Sequence, residues 1–361
     1  MKIKSTVKDC NLEFIRNSLG KKDQIFSKLK YSKLFYFVDE NFYKIYKKDL
    51  DAFIGDNVLV VIPAEEQNKS YLKLAEYFRV LIEKKFTRAD LLVTFGGGVL
   101  QDISGFIAST LYRGIKWVYF PTTLLAQADS CIGSKTSINF DDSKNLIGTF
   151  YPPDMIINDI SFLRTLSREQ FNSGLGEMIK FHLMSDEKGY SLLKGYLRSP
   201  DPRKNKYLKK IIHSTLKIKY SYFKQDEFDT GRRNLLNYGH CFGHALESAT
   251  NFKVSHGEAV IVGMGFADLI SLKRGIMSRE KYDEFGFILR KYYPRFDINK
   301  INAEDIIYYM GRDKKRVGKD LTMILSVDIG KQFKYDDLKE DEVRKAYSEF
   351  VGQYPKDMEQ L

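Results

Sequence analysis

Leu91-Leu92-Val93-Thr94-Phe95-Gly96-Gly97-Gly98-Val99-Leu100-Gln101-Asp102 passes from a short apolar run, through three glycines, into a segment with helical spacing. An apolar run of this length that ends in glycine reads as a strand buried on both faces, the habit of a parallel sheet. Glycines at such a junction let the backbone approach a pyrophosphate, and the unpaired N–H groups at the helix start favour its negative charge. The pattern is not Gly-x-Gly-x-x-Gly, and a tight turn with no ligand is the plainer use of the same residues.

The runs at 34–38, 58–62 and 117–120 repeat the theme, each followed by helical spacing. Residues 1–155 are therefore predicted to form an α/β dinucleotide-binding domain with a mainly parallel sheet. Pro121-Thr122-Thr123 places two hydroxyls at the same sheet edge, as ligand donors or as helix caps. After Pro152-Pro153 the pattern lengthens into amphipathic stretches, Ser167 to Met184 and Lys206 to Phe223. Residues 156–361 are accordingly predicted to be mostly helical and to carry metal- and substrate-binding groups, with 321–327 as a strand in a small ribbon.

In this second region, Asn237-Tyr238-Gly239-His240-Cys241-Phe242-Gly243-His244 is followed by His256-Gly257-Glu258. The chain has only five histidines, so three in one short stretch are not scattered by chance. His240 and His244, four apart, share a helix face, and His256 can close the group from the next helix after the break at 250–253. Converging imidazoles suit a divalent metal of zinc type. Histidines that merely line a helix and satisfy hydrogen bonds are the alternative.

A chain of 361 residues, 43% hydrophobic, can bury a substantial core in two domains or one large one. It has no run of eighteen apolar residues, and Met1-Lys2-Ile3-Lys4-Ser5 lacks the apolar core of a signal peptide, so a cytoplasmic protein with no membrane partner is expected. Cys10, Cys131 and Cys241 are widely spaced and odd in number, which argues against a disulfide framework. The net charge of +11 is spread along the chain with acids interleaved. The basic run 203–210 reads as a solvated helix face, and 312–316 is equally short. No nucleic-acid partner is expected; a small anionic substrate fits local basic residues better.

Several motifs together, in order, are more specific than any one of them. The glycine run, Pro121-Thr122-Thr123-Leu124-Leu125-Ala126-Gln127-Ala128-Asp129-Ser130, Lys144-Asn145-Leu146-Ile147-Gly148, Gly174-Leu175-Gly176-Glu177-Met178-Ile179-Lys180, Leu235-Leu236-Asn237-Tyr238-Gly239-His240 and His256-Gly257-Glu258-Ala259-Val260 resemble the motif series of the 3-dehydroquinate synthases, within the sugar phosphate cyclase superfamily. The resemblance spans essentially the whole chain. It implies a homodimeric carbon–oxygen lyase of the shikimate pathway that converts 3-deoxy-arabino-heptulosonate 7-phosphate to 3-dehydroquinate and phosphate. The implied route is transient oxidation by NAD, phosphate elimination, re-reduction and intramolecular aldol closure, with zinc or cobalt as the metal.

Matched motif by motif, the resemblance makes Glu177, His240 and His256 the metal ligands and moves His244 to the phosphate side, with Lys135, Asn145 and Lys315 or its neighbour Lys314. Lys180, Lys219, Arg233 and Asn237 would address the substrate carboxylate and hydroxyls, Asp129 a hydroxyl near the nicotinamide, and Arg113 the phosphate of a neighbouring subunit. Cofactor contacts would come from Glu66, Lys69, Gly97, Gly98, Asp102, Thr122, Thr123, Lys135 and Lys144. A carboxylate in the ribose loop accepts from ribose hydroxyls and repels a ribose phosphate, which favours NAD over NADP.

The chain departs from the family pattern at Glu65, Gln101, Cys131, Ser134 and Gly176, the last where alanine is usual. Ser134 replaces a glycine beside Lys135, so the backbone there is a point of tension. These departures keep two other readings open: a cyclase for sedoheptulose 7-phosphate or glucose 6-phosphate, and a metal-dependent polyol dehydrogenase. The neutral sugar phosphates lack the carboxylate that Lys219, Arg233 and Asn237 would bind.

Overall fold

The computed structural model describes residues 1–141, 143–312 and 320–354, so Lys314 and Lys315 lie outside the described residues. The chain divides into two compact units, one of residues 1–167 with 219–228 and the other of residues 168–218 with 229–361.

The first unit is built on a seven-stranded sheet ordered β1-β2-β9-β6-β5-β3-β4. Its strands are β1 (Lys2–Ile3), β2 (Cys10–Phe14), β3 (Leu34–Asp39), β4 (Val58–Ile62), β5 (Leu91–Gly96), β6 (Lys116–Pro121) and β9 (Met155–Asn158). Only β1 pairs antiparallel. All four strands expected from the sequence are present, and β3 and β5 are buried at every position, as continuous apolar runs in a parallel sheet require. Because β9 pairs with both β2 and β6, the sheet is not complete until after Pro152-Pro153, and the unit runs on to Ser167. Helices α1 (Lys22–Phe26), α2 (Glu40–Ile54), α3 (Tyr71–Glu83) and α4 (Gly98–Thr110) lie between the strands in sequence. Asp39 begins α2 by accepting from the Phe42 N–H at 2.7 Å. Aromatic rings fill the core between them: Phe95 stacks on Phe120 with centroids 4.1 Å apart, and Phe53 meets both edge-on. A separate hairpin, β7 (Lys135–Phe140) with β8 (Ser143–Phe150), carries Lys135, Lys144 and Asn145.

The second unit is helical: α5 (Arg168–Leu183), α6 (Glu187–Leu197), the start of α7 (Leu208–Gln225), α8 (His240–Ala249), α9 (His256–Lys273), α10 (Arg279–Arg290), α11 (Ala303–Gly311) and α12 (Glu340–Gln353). Its antiparallel ribbon is β10 (Leu321–Asp328) with β11 (Lys331–Leu338), which contains the late strand expected from the sequence. The basic run 203–210 is not the helix face it was expected to be: a 3-10 turn at Pro202–Lys204 precedes α7, which opens only at Leu208. Asp201, beside Pro202, caps that turn by accepting from the Arg203 N–H at 3.0 Å.

Helix α9 is apolar on nearly all sides and almost wholly buried, as a central helix must be. It approaches α5 and α8 at backbone distance. A Cβ on Gly257 would stand 1.7 Å from the Ser173 carbonyl oxygen, one on Gly176 2.2 Å from the Gly257 carbonyl, and one on Gly263 1.9 Å from the Gly239 carbonyl. Side chains are impossible at these crossings without moving a helix, and the crossings flank Glu177, His240 and His256. Beneath α8, the Tyr238 hydroxyl donates to the buried carboxyl group of Asp268. Burial pushes Asp268 up to about 8, against the opposing effect of that hydrogen bond.

Two outcomes are expected. Gly257→Ala should destabilise the protein by roughly 2–4 kcal/mol in denaturant unfolding, because the clash is with backbone rather than a movable side chain. Asp268 holds its proton to about pH 8 when folded, against a reference value of 3.8, so its contribution is fully present below about pH 4 and is lost as pH rises through 8. Relative to wild type, Asp268→Asn should therefore gain several kcal/mol between pH 4 and 8, at about 1.4 kcal/mol per pH unit, in unfolding measured across that range.

Candidate functional site

In the second unit, α5 supplies Glu177, α8 supplies His240 from its first residue, and α9 supplies His256 from its first residue. Both histidines stand at helix starts, which a purely helical i,i+4 reading of His240 with His244 does not anticipate. The Nε2 atoms of His240 and His256 each lie 3.3 Å from the same oxygen, Glu177 Oε1. The other oxygen, Oε2, is 2.5 Å from Lys180 Nζ one helical turn on. These are ion-pair contacts without hydrogen-bond alignment: neither oxygen of the fully buried Glu177 carboxylate has a properly directed donor.

Burial pushes Glu177 up, but Lys180 and His240 outweigh it and hold the carboxyl well below its usual range. His240 is lowered by burial and by Lys180. His256 is held up at about 10 despite burial, because the carboxylates of Glu177 and Glu247 face it. A buried carboxylate with under-directed oxygens and two imidazole nitrogens converging on it match the donor set of a three-ligand divalent site.

The remaining expected residues of this unit lie as follows. His244 does not join the Glu177 group, yet its ring centroid is 5.3 Å from that of His240 and 5.8 Å from that of His256. Arg233 and Lys180 are buried, and the Asn237 amide donates to the Asn234 carbonyl at 2.7 Å. Glu247 was not read from the sequence. It follows His240 by seven positions and His244 by three, on the same face of α8, and that spacing was the available signal.

In the first unit, Lys69 is the hub. Its Nζ donates to Asp102 Oδ2 at 2.9 Å and to Asn145 Oδ1 at 2.7 Å, and lies 3.3 Å from Glu66 Oε1. Burial pulls Lys69 down, but Asp102 and Glu66 outweigh it and raise it. Burial pushes Asp102 up to about 6 against the pull of Lys69. Asn145, expected with the phosphate group, is thus seated among the cofactor candidates, and Ser137 also donates to it at 2.9 Å. Asn139 completes the cluster by donating to Glu66 Oε1 at 2.9 Å and accepting the Asn145 N–H at 2.9 Å. Lys135, Ser137 and Asn139 alternate along β7, a period-two polar face that the sequence reading passed over.

Elsewhere in this unit, Lys219 Nζ donates to the Asp129 carbonyl at 2.7 Å and is paired with Asp129 Oδ1 at 2.7 Å. Gly97 faces the Thr123 methyl, whereas nothing lies within 4 Å of a Cβ placed on Gly98, so the backbone there is open to a ligand. Thr123 takes the plainer of its two expected uses, accepting from the Ala126 N–H at 3.2 Å, and Thr122 is buried. Lys135, Lys144 and Arg113 are exposed. Gln101 exchanges two hydrogen bonds of 2.7 Å with Ser130, which ties α4 to the turn carrying Asp129.

Residues 59–173 match the family model of the 3-dehydroquinate synthase N-terminal domain, and residues 174–316 that of the C-terminal domain. A 3-dehydroquinate synthase of Dictyoglomus thermophilum is 36% identical over 318 residues, covering 88% of each chain. That of Clostridium botulinum strain Alaska E43 is 38% identical over 306 residues, 83% of this chain and 87% of the relative. Among solved structures, 2-deoxy-scyllo-inosose synthase, in complex with carbaglucose-6-phosphate, NAD+ and Co2+, superposes with a TM-score of 0.86 at 22% identity, covering 97% of this chain and 99% of that one. The 2-epi-5-epi-valiolone synthase of Streptomyces hygroscopicus subsp. jinggangensis 5008, with NAD+ and Zn2+ bound, gives 0.85 at 23% identity over 97% and 99%. At that identity the two structures speak for the fold.

Ser134 bears out the tension foreseen beside Lys135: its φ is +62°, the left-handed region where a side chain costs about 1 kcal/mol. Ser134→Gly should therefore raise stability by about 1 kcal/mol, read as an upward shift of Tm. An unchanged or lower Tm would mean that the buried hydroxyl offsets the strain.

Proposed function

Since the chain belongs to the 3-dehydroquinate synthase family, we propose that it converts 3-deoxy-arabino-heptulosonate 7-phosphate to 3-dehydroquinate and phosphate, with NAD and a zinc or cobalt ion. The observation that carries this reading is the convergence of His240 and His256 Nε2 on one oxygen of the buried Glu177. The first unit takes the role of the NAD-binding domain and the second that of the metal- and substrate-binding domain. The reaction class is that of a carbon–oxygen lyase, and the cytoplasm and a homodimer are the proposed setting, with exposed Arg113 reaching a partner's phosphate site.

When bound, the metal supplies Lewis acidity toward a substrate hydroxyl and the nicotinamide supplies reversible hydride exchange. Glu177, His240 and His256 hold the metal. Glu66, oriented by Asn139, accepts from the ribose hydroxyls, and the open backbone at Gly98, with Gly97, receives the pyrophosphate. Lys69 ties Asp102 and Asn145 into that cradle, with Thr122, Thr123 and Lys144 at its margin. Asp129, held by Lys219, accepts a substrate hydroxyl near the nicotinamide. Lys135 and His244 attend the phosphate.

Specificity within the superfamily rests on the carboxylate. Arg233 can hold it with two parallel hydrogen bonds, a geometry that lysine cannot reproduce, and Lys180, Lys219 and Asn237 add charge and donors. A cyclase acting on sedoheptulose 7-phosphate or glucose 6-phosphate has no use for this set. A polyol dehydrogenase would accumulate NADH.

Phosphate release by the purified, zinc-loaded protein with NAD, offered each of the three sugar phosphates separately, is the test. Release from the heptulosonate phosphate alone, without net NADH, is expected. Arg233→Lys should lower kcat/KM for that substrate about 10- to 100-fold, the worth of a charge-assisted hydrogen bond. Release from a neutral sugar phosphate instead would overturn the substrate assignment, and net NADH would favour the dehydrogenase.

A further inference from the structure

The two imidazoles of the metal group are held from behind in different ways. His240 Nδ1 donates to the neutral Tyr238 carbonyl at 3.2 Å, whereas His256 Nδ1 lies 3.2 Å from a carboxylate oxygen, Glu247 Oε2. A carbonyl only accepts, so His240 carries its proton on Nδ1 and presents the Nε2 lone pair. A carboxylate imposes the same arrangement on His256 and also polarises the ring, making Nε2 the more basic donor. The Glu247 side chain is only 14% exposed, so this interaction is not heavily screened by water.

Charge gives a second, independent reason for an acid at this position. Lys180 lies against Glu177 and offsets its negative charge. With the imidazoles neutral, Glu177, Lys180, His240 and His256 sum to zero, and a divalent ion among them has no net counter-charge. Glu247 adds one negative charge behind a ligand without taking a coordination position.

We infer that Glu247 is a positioning residue of the metal centre, fixing the tautomer and ring plane of His256 and strengthening it as a ligand through the Nδ1–H···carboxylate bond. The inference rests on the reading that Glu177, His240 and His256 hold the metal. Glu247 is set on α8 so that the helix delivering His240 at its start also secures His256 from seven residues further on.

The test is zinc affinity by chelator competition, together with the absorption spectrum of the Co(II)-loaded protein, for wild type, Glu247→Gln and Glu247→Ala. Glu247→Ala should weaken zinc binding about 10- to 100-fold and alter the Co(II) bands, with Glu247→Gln intermediate because the amide oxygen still accepts from Nδ1. Affinity and spectrum equal to wild type in a folded Glu247→Ala overturn the inference. If that variant does not fold, Glu247→Gln decides, and affinity within twofold of wild type overturns it. Loss of a second equivalent of metal with the first unaffected would make Glu247 a ligand of another ion and equally defeat the positioning role. Failure of wild type itself to bind one equivalent would instead defeat the underlying metal reading.

Discussion

The contact on which the second unit depends is backbone against backbone. Helix α9 touches α5 where Gly257 meets Ser173 and Gly176, and touches α8 where Gly263 meets Gly239. Each crossing is adjacent to or near a proposed ligand, so ligand spacing is set by helix separation rather than by side-chain reach. Short separations also account for the burial of the Glu177 carboxylate, which the close-packed helices leave fully covered. A charged group so placed survives only through what faces it, here Lys180 and two imidazoles.

The same economy of pairing recurs in the first unit. Lys69 faces Asp102 and Glu66, and Lys219 faces Asp129, so most buried cations proposed to act on ligands already have an anion beside them. Pairing with Asp102 and Glu66 keeps Lys69 charged in surroundings that would otherwise favour neutrality. It also means that a ligand anion arriving at one of these lysines competes with a carboxylate already in place, so binding is the exchange of one partner for another rather than the capture of a free charge.

Much of this was legible in the sequence. The strands β3, β4, β5 and β6 were read from continuous apolar runs, and the triple glycine marked the one strand–helix junction with backbone open at Gly98. The proposed metal triad was a different matter. Local spacing pointed to His240 with His244, and only the ordered motif series pointed to Glu177 in a helix sixty residues upstream. Periodicity reports which residues share a face within one element; it carries no information on which elements cross. Asn139 and Glu247 escaped notice for a related reason, since each acts on another side chain rather than on a ligand. The run 203–210 misled because clustered lysines look alike on a helix and on a turn followed by a helix start, and what begins the turn is the capping carboxylate of Asp201.

The first unit is discontinuous along the chain, and that has a consequence for how the protein comes into being. Residues 219–228 belong to it, and through Lys219 they complete the pairing of Asp129, yet residues 168–218 of the other unit precede them in synthesis. A ribosome delivering this chain from its N-terminus therefore exposes the sheet long before its last helical segment arrives. The nascent chain spends that interval with Asp129 unmatched and part of the first unit's surface uncovered. A stalled or truncated product ending between residues 167 and 219 would present the quality-control machinery with a complete sheet that lacks the segment pairing Asp129.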